Sequence, residues 1–291
     1  MEHKIENEYL IVTAKKQGAE LTSIFDKRTQ IEHLWQAEPA FWGWHAPVLF
    51  PVVGRCKDDT ILINRKTFTM EKHGFARKST FKLIEKTELT MAFEMTHNPI
   101  TKISYPYDFR FNIRYVLDGT KLDTIYEVVN QDKETMYYSL GGHPALSVPF
   151  FKEEKYEDYF IEFPMDEQLE REFINDEGFF TREKKPVLTT PSQLHLHSTI
   201  FDKDALIFKD IKSKTVKIRS KNHGRTVSIT FDDFAYLGLW AKNYASYVCV
   251  EPWLGCADNA DFKGEFSTKE GIQHLEPNEF KIVRFSIKID E

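Results

Sequence analysis

Hydrophobic and polar side chains alternate along several short segments, a pattern that predicts β-strands with one buried face. In the segment 225–231 (RTVSITF), Val227, Ile229 and Phe231 alternate with hydroxyl side chains. The same alternation recurs in three further segments: 109–117 (FRFNIRYVL), 214–220 (KTVKIRS) and 283–289 (VRFSIKI). Turn-forming pairs such as Asp118-Gly119 and His223-Gly224 separate these segments at short intervals.

Helical periodicity is weak throughout the chain. The best candidate for a helical turn is the segment 165–173 (MDEQLEREF). Because strands and turns account for nearly all of the pattern, we predict an all-β fold, a large antiparallel β-sandwich. The absence of a flexible linker or internal repeat leads us to expect a single domain over residues 1–291.

Composition and charge narrow the class of protein. The 291 residues are 41% hydrophobic and 14% aromatic, enough for a large core, and the formal net charge is −6. Basic residues are scattered, which argues against a nucleic-acid groove. The apolar stretch 46–53 is far shorter than a membrane span. We therefore expect a soluble protein, monomer or homodimer, with a small-molecule ligand and no membrane or nucleic-acid partner.

The cysteines and the N-terminus bear on the compartment. Cys56, Cys249 and Cys256 are odd in number and lack zinc-site spacing, so they are expected to be free thiols in a reducing compartment. The polar segment 1–10 (MEHKIENEYL) has no signal-peptide character. Both features predict a cytoplasmic location.

One histidine stands in an unusual setting, the segment 141–146 (GGHPAL). Pro144 disfavours the helical region for His143, which should be extended or in a turn. Gly141 and Gly142 lack side chains and allow a close approach. Two interpretations are open: a tight turn that contains a histidine, or an imidazole that faces a cleft.

Two basic segments offer further candidate chemistry. Arg55 follows the apolar run 49–54 and either caps a sheet edge or directs its guanidinium group at a ligand. In the segment 72–77 (KHGFAR), an extended chain would place His73, Phe75 and Arg77 on one face. That face would suit a sugar or a phosphate, or it could be a solvated strand edge.

A carboxylate and a histidine pair complete the candidates. Glu251 follows the apolar run 247–250, and burial there would raise its pKa toward the range useful for proton transfer. The alternative is a salt bridge at the end of a strand. His195 and His197 would share one strand face, either as two metal ligands without a third nearby or as part of a polar outer face.

Four of these segments, PVVGR, HGFAR, GGHPAL and EPWLG, occur in an order and at distances that resemble the aldose 1-epimerase (galactose mutarotase) family, in its LacX-like branch. The resemblance runs from about residue 5 to residue 289 and includes the segment 17–27, which is similar to the N-terminal hairpin of that family. It implies a large β-sandwich that interconverts the α and β anomers of an aldose, a hexose or hexose phosphate, without a metal or nucleotide cofactor. A related β-sandwich that binds carbohydrate without turnover is the alternative.

The resemblance also implies roles for individual residues. Glu251 matches the general base that takes the proton of the anomeric hydroxyl, and His143 matches the acid that protonates the ring oxygen. The glycines before His143 would then make room for the sugar ring. The residues implied in substrate binding are Arg55 and His73 around the ring oxygen, Arg77 as a candidate phosphate ligand, and Asp204, or Asp202 two positions away, at the sugar hydroxyls.

Overall fold

The structure, a computed structural model, describes residues 2–187, 190 and 192–290, and these residues are mostly strand. The strands, in chain order, are β1 Glu2–Glu6, β2 Leu10–Lys15, β3 Leu21–Asp26, β4 Ile31–Glu32, β5 Val48–Leu49, β6 Thr60–Ile63, β7 Lys66–Thr69, β8 Lys82–Lys86, β9 Thr90–Thr96, β10 Phe109–Asp118, β11 Lys121–Asn130, β12 Met136–Tyr138, β13 Leu140–Gly142, β14 Ala145–Ser147, β15 Tyr159–Glu162, β16 Glu170–Ile174, β17 Phe180–Pro186, β18 Gln193–His195, β19 Leu206–Phe208, β20 Thr215–Ser220, β21 Thr226–Thr230, β22 Tyr236–Trp240, β23 Tyr247–Leu254, β24 Gln273–Leu275 and β25 Phe280–Asp290. Helical structure in the same ranges is limited to short pieces: α1 Thr101–Ser104 and 3₁₀ turns at Lys57–Asp59, Ala76–Lys78, Tyr156–Asp158 and Phe266–Thr268.

Two large sheets organise the described residues. One has nine strands in the order β18-β15-β20-β21-β25-β11-β10-β9-β8. The other has the order β17-β16-β19-β22-β23-β13-β5, and β14 also pairs with β23. The ladders between the strands of these sheets are antiparallel. The predicted all-β antiparallel fold is confirmed.

The alternating segments form the nine-stranded sheet, as their pattern predicts. β10 and β11 alternate between buried and half-buried residues along their whole length and join through the Asp118-Gly119 turn. Their buried side chains pack on residues next to the second sheet, such as Phe50, which directly follows β5. The rings of Phe50 and Phe111, for example, are stacked with centroids 4.7 Å apart. Most of the aromatic residues of the sequence are buried.

The predicted helical turn at 165–173 is wrong. Glu170–Ile174 is strand β16, and it pairs with β17 on one side and β19 on the other. Glu172 is buried there and receives the Lys184 ammonium group at 2.8 Å. The weak helical preference of the charged residues is overridden by ladder pairing with two neighbouring strands.

The helical pieces are too short to cross a membrane. Across residues 2–187, 190 and 192–290, the structure contains no helix with the length and apolar character needed to span a membrane.

His33, which follows β4, is enclosed in the core and makes the stability depend on pH. It is 4% exposed, and its ring packs edge-on against Phe150 at a centroid distance of 5.5 Å. Burial lowers the pKa of His33 to about 4, and the charge of Asp26 opposes this shift only in part. The folded state therefore holds this imidazole neutral at a pH where the unfolded chain binds a proton.

We expect the free energy of unfolding to fall as the pH is lowered from about 6.5 to 4, and His33 to supply up to about 3 kcal/mol of that loss. His33→Leu removes the titrating group, so its unfolding free energy should depend less on pH in this window. Urea unfolding at pH 7, 5.5 and 4.5 measures the difference. Parallel pH profiles of the two proteins would show that His33 does not contribute.

Candidate active site

A cavity of about 820 Å³ lies beside β22 and β23, and it collects most of the residues proposed from the sequence. His143, Glu251, His73, Arg77 and Asp204 line it. Other residues that line it include Trp42, Gly54, Lys72, Asp202, Trp240, Asn243 and Trp253. Residues that are up to about 200 positions apart in the chain therefore meet in one concave surface, the form typical of small-molecule sites.

The pairing of β13 and β14 with β23 sets His143 opposite Glu251. β13 pairs Leu140 with Leu254, and β14 pairs Ala145 with Cys249, in one continuous antiparallel register. His143 lies between the two segments, directly across from Glu251. Side chains opposite each other in such a ladder have Cβ atoms about 5 Å apart, so the register alone brings the two functional groups together.

The two side chains form a close and buried pair. His143 Nε2 lies 3.1 Å from Glu251 Oε2. The residues are 8% and 1% exposed, and both border the cavity. Apart from this contact, neither Glu251 Oε2 nor His143 Nδ1 has a hydrogen-bond partner within the described residues. A proton donor and a proton acceptor are thus within transfer distance, with lone pairs that no other described residue satisfies.

Burial keeps this pair uncharged. It raises the pKa of Glu251 well above the usual range, and the positive charge of Lys72 only partly opposes the shift. Burial also lowers the pKa of His143 to about 3, and the positive charges of Lys72 and Arg77 contribute to this decrease. Both shifts favour a carboxylic acid beside a neutral imidazole. The pair then holds one titratable proton, which lies on Glu251. The pKa increase expected from the sequence for a buried Glu251 is found, but the residue lies within β23 and not at its end.

Aromatic rings enclose the imidazole. Trp42 stacks on His143 with ring centroids 4.9 Å apart and planes inclined by 27°. Trp240 and His73 meet the same ring at steep angles, with centroids 6.1 and 5.8 Å away. These contacts restrict the orientation of the imidazole and exclude water from one side of it.

A reciprocal contact with Gly54 holds His73 in place. The Gly54 N–H donates to His73 Nδ1 at 3.1 Å, and the His73 N–H donates to the Gly54 carbonyl at 2.8 Å. Burial, aided by Lys72, keeps the pKa of His73 well below its usual value, so its Nε2 carries the proton. Gly54 has φ +73°, and a Cβ there would lie 2.6 Å from the Ala257 Cβ, so this contact requires glycine.

The expected extended conformation of 72–77 is wrong. His73 and Gly74 have φ values of 67° and 70°, and Ala76–Lys78 is a 3₁₀ turn. His73 and Arg77 reach the cavity, whereas Phe75 packs against the core. Close contact between the backbone of Gly74 and that of Phe50 explains the turn, because the two form a β-bridge.

Arg77 and the two aspartates occupy other parts of the wall. The Arg77 guanidinium group donates to the Lys72 carbonyl at 2.7 Å and lies over the Trp44 ring, 5.5 Å from its centroid. Asp202 accepts a hydrogen bond from the Asn243 side chain at 2.8 Å, and Asp204 Oδ1 accepts the Ala205 N–H at 2.7 Å. Both aspartates border the cavity, so the geometry leaves both as candidates for the hydroxyl-binding role.

Arg55 is the one proposed residue that the structure does not bring to the cavity wall. Its Nε and Nη2 bind the two carboxylate oxygens of Asp59 at 2.7 and 2.6 Å, and its Nη1 donates to the Glu177 carbonyl at 3.0 Å. The guanidinium group also lies 5.6 Å from the centroid of Phe179. The neighbouring Gly54 borders the cavity in its place.

The glycines before His143 serve packing and not the space for a ligand, contrary to expectation. A Cβ on Gly141 would lie 2.6 Å from Trp253 Cδ1, and one on Gly142 would lie 2.8 Å from Phe285 Cε1. Both positions face neighbouring side chains of the sandwich. Their lack of a side chain lets the strand that carries His143 pack closely on both sides.

His195, on β18, and His197, just after that strand, lie on the polar outer face. Both residues are exposed, and His197 Nδ1 lies 3.1 Å from the Thr199 hydroxyl. Among the residues that the structure describes, neither belongs to a group of three potential metal ligands.

Three residues of the site were not identified from the sequence: Trp42, Trp240 and Lys72. The aromatic cluster 41–45 (FWGWH) could have indicated Trp42, because tryptophan side chains are highly buried on average. Trp240 ends the segment LGLWAK, and Lys72 directly precedes His73.

Comparison with known proteins identifies several similar chains. Residues 1–273 match the family model described as aldose 1-epimerase. The chromosomal LacX protein of Lactococcus lactis subsp. lactis is 35% identical over 267 residues, which is 89% of each chain. A galactose mutarotase related enzyme from Lactobacillus acidophilus superposes with a TM-score of 0.94 at 33% identity, covering 100% of this chain and 98% of that one. A galactose mutarotase-like protein from Lactobacillus casei gives 0.93 at 27% identity, with both chains fully covered.

The packing role of the glycines leads to a stability prediction. Gly142→Ala places a methyl group against Phe285 and near the Tyr126 hydroxyl, and should lower the free energy of unfolding by about 1–3 kcal/mol. Gly224→Ala is the matched control, because a Cβ there meets nothing within 4 Å. Urea unfolding of both variants at neutral pH measures the effect. Equal stability of the two variants would contradict the close packing at Gly142.

Proposed function

Since the chain belongs to the aldose 1-epimerase family, we propose that it interconverts the α and β anomers of an aldose by acid–base ring opening. The observation that carries the proposal is the buried pair at the cavity, His143 Nε2 within 3.1 Å of Glu251 Oε2. Anomer exchange needs a group that removes a proton from one oxygen and a group that adds a proton to another. The pair supplies both.

In the proposed cycle, the Glu251 carboxylate takes the proton from the anomeric hydroxyl of the cyclic sugar. The C1–O5 bond breaks, its electron pair passes to the ring oxygen, and that oxygen takes the proton of the His143 imidazolium group. The products of this step are an open-chain aldehyde, a protonated Glu251 and a neutral His143. Rotation about C1–C2 and reversal of both transfers give the other anomer, so the protons balance over the cycle.

Burial favours the opened state of this cycle. With cyclic sugar bound, the reactive form of the pair is a carboxylate beside an imidazolium; after ring opening both groups are neutral. The same burial that raises the pKa of Glu251 and lowers the pKa of His143 therefore stabilises the state reached by proton transfer to and from the sugar. The neutral resting pair becomes reactive when one proton crosses the 3.1 Å contact from Glu251 to His143, and ring closure regenerates that reactive form.

Substrate binding is assigned to the other groups of the cavity. His73, neutral and held through Nδ1 by the Gly54 N–H, presents Nε2–H as a donor to a sugar oxygen. Asp202 or Asp204 would accept hydrogen bonds from hydroxyls on the opposite part of the ring. Trp42 and Trp240 offer flat apolar surfaces for the C–H face of a pyranose.

The first experiment tests the acid–base pair. Glu251→Gln keeps the shape of the side chain but cannot take the anomeric proton, and His143→Asn cannot deliver one. Each should lower kcat by on the order of 10²-fold or more. The double variant should be little worse than the weaker single variant, because the two residues act in one cycle. Exchange NMR of glucose, galactose, ketohexoses and their 6-phosphates measures the rates.

His195→Asn, an exposed histidine on β18, is the matched control and should retain the wild-type rate. A wild-type rate in a folded Glu251 or His143 variant would remove that residue from the acid–base role. Sugar binding by the wild-type protein with exchange rates equal to buffer would favour the alternative, a carbohydrate-binding sandwich without turnover.

The second experiment distinguishes free from phosphorylated sugars. Arg77 borders the cavity with its guanidinium plane fixed on Trp44, so it could pair with two oxygens of a phosphate. If the substrate is a sugar phosphate, Arg77→Lys should raise KM for it much more than KM for the same sugar without phosphate. Arg114→Lys, on β10 and paired with Glu85, is the control. Equal changes in both KM values would assign Arg77 a structural role.

A further inference from the structure

A third potential ligand lies next to the acid–base pair. Cys249 is two residues before Glu251 on β23, so both side chains project from the same face of the strand. Ligand atoms of His143, Cys249 and Glu251 all lie within 4.8 Å of one another, and all three residues are buried. In the part of the chain that the structure describes, this is the only group of three such residues.

We infer that His143, Cys249 and Glu251 form a binding site for a thiophilic divalent cation of the Zn²⁺ type, and that a cation bound there blocks the acid–base pair. The first half of this inference stands on the three donors alone, and the second half rests on the proposed function. The cation is an inhibitor in this account and takes no part in the reaction.

The donor set fits this class of cation. One imidazole nitrogen, one sulfur and one carboxylate oxygen are ligands that Zn²⁺ accepts in tetrahedral sites that keep a fourth position open. The fourth position would face the cavity, which His143 and Glu251 border. Mg²⁺ and Ca²⁺ prefer six or more oxygen ligands and gain little from a thiol and an imidazole.

Unsatisfied lone pairs favour occupation of the site. Glu251 Oε2 is buried and has no described hydrogen-bond partner apart from His143 Nε2 at 3.1 Å, and the buried His143 Nδ1 has none among the described residues. A buried polar atom without a partner destabilises the structure, and a cation would satisfy it. Tetrahedral coordination at zinc bond lengths needs ligand atoms about 3.3–3.6 Å apart. The present ligand-atom separations reach 4.8 Å, so a bound cation would draw the three side chains closer together than they lie here.

Other thiols and imidazoles are less suitable. Cys56 is as deeply buried as Cys249 but belongs to no such group within the described ranges. His195 and His197 are exposed, so they remain the alternative location for weakly bound zinc. Coordination at the pair would engage the carboxylate oxygen and an imidazole lone pair together, and would prevent both proton transfers. Inhibition should therefore be competitive with the sugar.

Isothermal titration of the chelator-treated full chain with ZnCl₂ tests the binding directly. We expect one Zn²⁺ per chain, little or no heat with MgCl₂, and a Kd that Cys249→Ala weakens by at least about tenfold. Cys56→Ala, the matched buried cysteine, should keep the wild-type Kd, as should the His195→Ala/His197→Ala double variant. No zinc binding by the wild-type chain, or a Kd unchanged in Cys249→Ala, would overturn the site. Loss of binding in the double variant would move the site to the outer face.

Cobalt provides a readout that does not depend on the stability of a variant. Co²⁺ added to the wild-type chain should give a thiolate-to-cobalt charge-transfer band, and ZnCl₂ should abolish it; a spectrum without that band would exclude Cys249 as a ligand. For each variant, the anomer-exchange rate with zinc is compared with the rate of the same variant without metal. We expect zinc to lower the rate and a chelator to restore it. Binding without any exchange activity would refute the proposed function and leave the metal site, whereas exchange activity unaffected by bound zinc would refute the inhibition.

Discussion

The pairing of residues 140–147 with β23 is the constraint on which the site depends. Two prolines, Pro144 and Pro252, lie within this pairing, and neither can donate a hydrogen bond to the ladder. The register nevertheless continues across them, since the Val250 N–H donates to the Pro144 carbonyl at 3.1 Å. His143 and Glu251 thus face each other because of backbone pairing, and their separation does not depend on the conformation of a loop.

The surroundings of the pair combine rigidity with low polarity. All eight residues of β23 are buried, and Trp42 covers the imidazole. A dry environment has two effects on the same side chains: it suppresses their charges, and it strengthens each electrostatic interaction that forms there. Asp202 and Asp204 lie further out and are exposed, whereas His73 is as buried as His143.

The sequence predicted four strands of the nine-stranded sheet, β10, β20, β21 and β25, and most of the site residues proposed from it reach the cavity wall. The strands were predictable because each has one buried face, which produces alternation, as in β10 and β25. β23 shows no alternation, because both of its faces are buried, and its identity as a strand was visible only as an apolar run before Glu251. His73 and Arg77 both border the cavity, but they reach it from a turn and not from the extended chain that the sequence suggested. Arg55 could not be placed, because its bidentate contact with Asp59 depends on a short 3₁₀ turn that brings the carboxylate back toward it. Trp42 was missed because a ring that stacks on a catalytic candidate has the same local sequence as a core residue.

The unbroken register has a consequence for how such a protein can diversify. Side chains on a strand alternate between faces, so the insertion or deletion of one residue between Leu140 and Ser147 would turn His143 away from Glu251. The segments 175–178, 201–205 and 241–243 border the same cavity outside the strands of this ladder, and they can change in length without moving the pair. Changes of length in these segments can therefore alter substrate preference. Residues 140–147 and β23 can accept other side chains but no change in length.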